Sequence, residues 1–277
     1  YLQWKYLESP YSHPPILYLA LHNEKLIAVR GFYEWLFGQN GDSFTALCSA
    51  DLVIHPEYRS KGLYPELMDF IMSDLHDQGY PYVLSFSAGP TALINALALG
   101  WKVIGRMKSM RKQFYMRPVT KKLTDPVTVN KLIDRVVKSK ILKRPPKPMQ
   151  IREELRRSTD NLPAHIEFDY DPEPREMARL ISRLDAYDKI VLIRDEKYFR
   201  WRYKNPLSDY FFLYWRDSEL RGYLVAQTPL FMAGSMSNFN VLELEGESPE
   251  IKRELMEALL SLLDYRSIII WSGMLDE

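Results

Sequence analysis

The sequence predicts an α+β protein made of two copies of one domain, each with a mixed sheet flanked by helices. Three observations carry this. First, "YLQWKYLESPYSHPPILYLALHNEKLIAV" (1–29) and "YFRWRYKNPLSDYFFLYWRDSELRGYLV" (198–225) share Tyr-x-x-Trp-basic-Tyr, then a proline, an aromatic-rich strand, a polar turn and a second strand. Second, β-rich runs bounded by turn residues alternate with amphipathic stretches that end in glycine. Third, the 277 residues are 46% hydrophobic and 26% charged, enough apolar material for two cores.

In the first copy the pattern gives strands over 16–22, 26–36 and 44–54, a helix over 61–78, a strand over 82–87, a helix over 90–99, and strands over 101–107 and 108–115. His22-Asn23-Glu24 makes the first hairpin turn, as Arg216-Asp217-Ser218 does in the second copy. Gly79 and Gly100 stand just past their helices, where C-terminal caps belong. Tyr82, Phe86 and Trp101 are expected in the core, and Cys48 is expected to be a small buried residue. The second copy ends in a helix (248–264) and a strand (267–272), and a strand and helix precede Tyr198. Nothing comparable precedes Tyr1, and the last helix and strands of the first copy have no counterpart after 272. The chain therefore reads as lacking a piece at both ends. The expected division is 1–120, a linker over 121–160 and 161–277.

The linker is basic, with Val129, Leu132, Ile133, Val136 and Val137 at helical spacing before Pro145-Pro146 and Pro148. A helix with its apolar face on a domain and a solvated basic side accounts for it; a nucleic-acid or membrane contact is the alternative. The net charge of +1 argues against a polyanion binder. One cysteine, Cys48, excludes an internal disulfide framework and a cysteine-based zinc site, and no metal is expected. No apolar run approaches the length of a membrane span and no signal-peptide pattern is present, so a reducing, cytoplasmic setting is expected.

The densest chemical signal is "VIHPEYRSKGLYPELM" (53–68), where an apolar strand gives way to a helix. The first N–H groups of a helix have no internal partner and lie at the positive end of its dipole, so such a junction is a ready anion site. Gly62 permits close backbone approach, Arg59 and Lys61 add charge, and Pro65 falls in the first turn, where a missing N–H does little harm. A diphosphate is the natural guest.

Arg59-Ser60-Lys61-Gly62-Leu63-Tyr64 resembles the Arg/Gln-x-x-Gly-x-Gly/Ala signature of the GCN5-related N-acetyltransferase superfamily. "ADLVIHPEYR" is similar to its fourth strand and "LALGWKVIG" to a segment near the end of its domain, and the tandem arrangement resembles a bacterial branch of the superfamily. The resemblance covers 15–117 and, more weakly, the second copy. It implies two tandem domains with mainly antiparallel mixed sheets, acetyl-CoA or another acyl-CoA held by Arg59 through Tyr64, and strand backbone at Leu52, Val53 and Ile54 beside the cofactor. Two departures stand out. Tyr64 replaces a small residue, and Ala96 and Gly89 fall where the superfamily often has its acid tyrosine and an asparagine.

Acyl transfer to an amine needs a neutral amine, a polarised thioester carbonyl and a proton for the thiolate. Strand N–H groups around Leu52 to Ile54 are the expected polarising donors. Asp51 is the first candidate base, with His55 two strand repeats along and Glu34 on the preceding strand. For Asp51 the alternative is a strand-edge carboxylate tied to a neighbouring loop, and for His55 a turn residue before proline. Tyr33 and Trp35 either line an acceptor pocket or fill the core. The second copy has "LELEGESPEIKREL" in place of the basic turn: its carboxylates would repel a diphosphate, while Ser248-Pro249-Glu250 looks like an ordinary helix start. That copy is expected to lack a CoA site and to offer Arg194-Asp195 and Trp201-Arg202-Tyr203 toward an acceptor cleft.

The leading expectation is an acyl-CoA-dependent N-acyltransferase acting on a small-molecule, amino-sugar or peptide amine, with nucleic acid not expected as a partner. The alternatives are an acyl-CoA-binding scaffold without turnover, which Ala96 and Gly89 favour, and a tRNA-dependent aminoacyltransferase of the tandem type, which would bind charged tRNA through 121–157.

Overall fold

The computed structural model describes residues 1–11, 14–86, 90–112, 153, 155–184, 188–227, 238–262 and 267–274. Two units alternate along the chain: Tyr1–Arg106 with Pro172–Leu207, and Met107–Asp171 with Ser208–Glu277. Residues 172–207 thus pack with the first copy, a division that departs from one at 120 and 160.

In the first unit, β1 (Ile16–His22) and β2 (Lys25–Gln39) form an antiparallel hairpin through Asn23 and Glu24, both at positive φ. β3 (Asp42–Ile54) runs antiparallel along β2, and β4 (Val83–Leu84) pairs parallel to β3. Between them α1 (Leu63–Asp77) sets Leu67, Met68, Ile71 and Leu75 on Ala28, Phe32 and Leu47. Each such large side chain contributes about 1.5–3 kcal/mol on burial, which holds α1 to the sheet. α1 closes with Gly79 N–H on His76 O and Tyr80 N–H on Leu75 O, the paired bonds of a Schellman end. α2 (Pro90–Ala98) follows. β7 (Val191–Leu192) extends the sheet by pairing with Phe37 and Gly38 of β2, beyond the reach of β1. α3 (Pro174–Arg183) and α4 (Glu196–Arg202) complete the unit.

The repeated Tyr-x-x-Trp-basic-Tyr segments are both helical: a π-type turn over Gln3–Leu7 and α4. Trp4 and Trp201 stack with centroids 5.1 Å apart, and each indole N–H donates to the other residue's carbonyl at 2.8 Å.

In the second unit the sheet order is β5 (Ser109–Lys112), β11 (Ser267–Trp271), β10 (Asn238–Gly246), β9 (Leu220–Gln227), β8 (Tyr210–Arg216) and β6 (Ile166–Asp169). Among the described residues of this sheet, only β10 and β11 pair in parallel. α5 (Pro249–Leu262) packs Ile251, Leu255, Leu259 and Leu262 on the sheet's Phe211, Leu213, Leu224 and Phe239. Hairpin, third strand, helix and parallel strand recur in the order of the first unit. A β-bulge recurs as well. In β3 Asp51 is the extra residue, between Ala50 and Leu52, and in β10 it is Leu242, between Val241 and Glu243.

Three expectations change. No strand forms over 101–107: Ile104 is 89% exposed, and the following strand, β5, finds its partner in β11. An extended segment without a neighbour leaves its backbone groups to water. Tyr82 and Phe86 lie exposed, because β4 pairs over only two residues and the chain then leaves the sheet; Trp101 does pack on the core. Gly89 and residues 121–152 lie outside the described residues. Among the described residues no helix is long and apolar enough to cross a membrane.

Candidate functional site

β3 parts from β4 after Cys48: Leu47 and Cys48 pair with Val83 and Leu84, and beyond them β3 keeps only β2 beside it among the described residues. The His55 N–H donates to Ile27 O at 2.8 Å. Antiparallel alternation therefore turns the N–H and C=O groups of Leu52 and Ile54 away from β2, toward the open side. Arg59 Nε donates to Ile54 O at 2.9 Å, which fits that orientation and ties the turn back to the strand. The bulge sets the parting point, with Asp51 at φ 40°.

The turn that follows begins with a 3₁₀ segment, Pro56–Tyr58, whose Glu57 N–H is 3.4 Å from His55 Nδ1. Ser60 and Gly62 then take φ 58° and 82°. Gly62 is the N-cap of α1, and no side chain caps that end. A Cβ at Gly62 would meet nothing within 4 Å, so the space above the turn is open. Arg59 through Gly62 are exposed, and the Lys61 ammonium stands 5.9 Å from the Tyr58 ring. Leu63 and Tyr64 pack instead against the core beneath α1, which takes the Tyr64 ring off the turn. Open helix N–H groups, two nearby cations and free space above a glycine are a donor set that fits a diphosphate.

The matching turn in the second unit is closed. Ser248 Oγ accepts from Ile251 N–H at 3.4 Å, and a Cβ at Gly246 would stand 3.0 Å from Ile251 Cγ2. Glu247 pairs with Arg221 at 3.0 Å, and the buried Glu243 accepts from Tyr223 OH at 2.7 Å.

The three carboxylate and imidazole candidates have separate partners. Asp51 Oδ2 accepts from Lys5 Nζ at 2.8 Å and from Tyr6 OH at 2.6 Å. Burial alone would raise this carboxyl, but the two hydrogen bonds and the Lys5 charge outweigh it and hold Asp51 below the ordinary aspartate range. Tyr6 is pushed far up, by burial first and then by the Asp51 carboxylate. Glu34 accepts from Tyr80 OH at 2.7 Å, and burial with that bond raises Tyr80 to about 12. His55 sits with its ring 5.9 Å from Tyr58. The bulge breaks the alternation that would have set Asp51 and His55 on one face.

Lys5 and Tyr6 were not singled out from the sequence, although the repeated Tyr-x-x-Trp-basic-Tyr segment contains both. Tyr33 and Trp35 line a cavity of about 180 Å³, together with Tyr1, Trp4, Lys5, Trp201, Arg202 and Asn205. Tyr33 is pushed well up by burial and by the neighbouring Cys48, and burial also raises the Cys48 thiol, so that sulfur stays protonated and unreactive. Of the Arg194-Asp195 pair, Asp195 caps α4 through Tyr198 N–H and accepts from Tyr11 OH, each at 2.8 Å.

No protein-family model matches the sequence, and no curated protein does. Solved structures do. A GCN5-related N-acetyltransferase from Kribbella flavida matches over 95% of this chain and 56% of its own, at 13% identity and a TM-score of 0.53. One from Anabaena variabilis matches over 97% and 56%, at 11% identity and 0.52. A conserved protein of unknown function from Enterococcus faecalis matches over 92% and 54%, at 11% identity and 0.58. The chain thus spans little more than half the length of these proteins. With two bulged mixed sheets, each flanked by helices, the chain has the fold of the GCN5-related N-acetyltransferases.

Proposed function

We propose that this chain is the acyl-CoA-binding and acyl-transferring part of an N-acyltransferase, with its site in the first unit. The observation that carries this is the junction of β3 and α1: among the described residues, a strand edge that no other strand covers, a turn at positive φ and a helix end without a side-chain cap under open space. An acyl-CoA would supply an activated thioester. Arg59, Lys61 and the backbone N–H groups of Lys61 through Tyr64 would hold its diphosphate. The N–H groups of Leu52 and Ile54, facing the open side of β3, are the chain's donors toward a thioester carbonyl, where fixed dipoles favour developing negative charge.

Asp51 stands at the parting of the strands as an ionised carboxylate. Clamped by Lys5 and Tyr6 it is a weak proton acceptor, and its part is to position those two side chains. A free amine therefore gives up its proton to water or to the departing thiolate. The second unit, whose turn is acidic and capped, has a supporting role.

The test is thiol release from acetyl-CoA in the presence of single amines, with the acylated amine identified by mass. Stoichiometric thiol and product support the reading; acetyl-CoA binding without either product selects the scaffold reading, which the clamped Asp51 and Ala96 favour.

A further inference from the structure

We propose that the chain acylates itself at Lys5, whose amine stands where an acceptor amine would meet the thioester and takes its acyl group. This rests on the acyltransferase reading and names an acceptor built into the same site. Lys5 Nζ donates to Asp51 Oδ2 at 2.8 Å and to the Tyr1 hydroxyl at 3.2 Å. Asp51 is the extra residue of the β3 bulge, and the residue after it, Leu52, turns its N–H to the open side of the strand. The amine is thereby held next to a donor that faces a thioester carbonyl, beside the place where β3 and β4 part.

The surroundings fix the amine at that point. The Lys5 ammonium lies 5.4 Å from the Tyr1 centroid, 5.5 Å from Tyr6 and 5.2 Å from Tyr33. The side chain is 12% exposed, yet it lines the cavity of about 180 Å³ walled by Tyr1, Trp4, Tyr33, Trp35 and Trp201. Lys25, Lys61 and Lys189, by contrast, are exposed. A reagent arriving from solution therefore favours the exposed amines. Transfer from an acyl-CoA seated on the turn favours Lys5, because a held amine meets the carbonyl without the entropic cost of finding it.

Lys5 first gives one ammonium proton to water, against the pull of Asp51 and the three rings, and this makes the transfer slow. The neutral nitrogen then attacks the thioester carbon. A C–N bond forms, the C–S bond breaks with its electron pair going to sulfur, and the proton shed by the nitrogen neutralises the thiolate. The products are Nε-acyl-Lys5 and free CoA thiol. An amide carries no charge, so the acylated side chain gives up its ion pair with Asp51 and leaves its acyl group among the aromatic walls, where an apolar group is at ease. The site has then lost its amine, and the reaction stops after a single turnover.

The test is a time course of the full chain with acetyl-CoA and no added amine, with peptide mass spectra giving the rate at each lysine. The expected result is acetylation of Lys5 at least about tenfold faster than of Lys25 or Lys189, levelling near a single acetyl group per chain. Acetic anhydride, which needs no site, is expected to reverse that order. Lys5→Arg keeps a cation beside Asp51 and should abolish the thiol release seen without added amine while still binding acetyl-CoA. Lys5 acetylated no faster than the exposed lysines overturns the proposal. So does a Lys5 that acetic anhydride also favours, or thiol release that survives in Lys5→Arg. Acetyl-CoA calorimetry and the acylation of free amines separate the failures. If acetyl-CoA binds and free amines are acylated while Lys5 stays unmodified, only self-acylation falls. If acetyl-CoA does not bind, the acyltransferase reading falls and self-acylation falls with it.

Discussion

Gly31 is where the Tyr6–Asp51 clamp is most open to perturbation. Built on the Gly31 backbone, a Cβ runs into the Tyr6 hydroxyl and stands 2.6 Å from its ζ carbon. Tyr6 is 2% exposed and its hydroxyl is committed to Asp51, so the ring cannot swing aside without breaking that bond. Forcing a methyl group into a packed site costs about 1–3 kcal/mol, and losing a hydrogen bond to a charged group costs about 1.5–3 kcal/mol. Gly31→Ala is therefore expected to lose about 4 kcal/mol, more than the ~1.5–3 kcal/mol of Tyr6→Phe, which removes only the hydroxyl. Because that hydroxyl is the nearest obstruction, Tyr6→Phe relieves part of the clash. The double variant should be more stable than the two losses added together, by about 1 kcal/mol. Urea unfolding followed by tryptophan fluorescence measures all four proteins. Strict additivity, or a Gly31→Ala variant as stable as the parent, would refute the placement of Tyr6 against this bulge.

Asp51 supplies a pH test. Its pKa is depressed on folding, so its stabilisation is complete above the unfolded value of about 3.9 and is lost as pH falls through the lower folded value. The stability gap between parent and Asp51→Asn should be flat from pH 5 to 8 and shrink below about pH 4. Trp201→Ala removes the stacked ring and the indole donor to the Trp4 carbonyl and should cost about 3–5 kcal/mol in denaturant unfolding. A polypeptide of residues 1–120 lacks Trp201 and β7, and circular dichroism should find no cooperative unfolding transition in it. Tyr80→Phe removes the hydroxyl bond to Glu34 without touching Asp51, so it should leave acyl transfer within about twofold while costing about 1 kcal/mol of stability.

The junction at 53–68 was legible in the sequence because its signals are local. A glycine at a helix start, a proline in the first turn and two cations leave few other structures for the chain to adopt. The hairpins at Asn23-Glu24 and around Asp217 were legible for the same reason. Pairings across long separations were not. Lys5 and Tyr6 reach Asp51 over 46 and 45 residues, and β5, near the middle of the chain, finds β11 close to its end. The bulge left one trace: aspartate is among the few residues at ease at positive φ, so an aspartate within a long strand marks a place where the strand can bend. That trace was too slight to overrule strict alternation, which is why Asp51 and His55 were expected on one face. The Trp4–Trp201 exchange was half legible, since the repeat named both residues but could not say that they face each other.

On the proposed function, the turn from Arg59 to Tyr64 holds an acyl-CoA. Calorimetric titration of acetyl-CoA into the parent protein and into Gly62→Asp tests it most directly. One site per chain is expected in the parent and at least about tenfold weaker binding in the variant, where a carboxylate fills the open space and opposes the diphosphate. Equal affinity in both proteins, or no binding to a parent whose unfolding is cooperative, would contradict it.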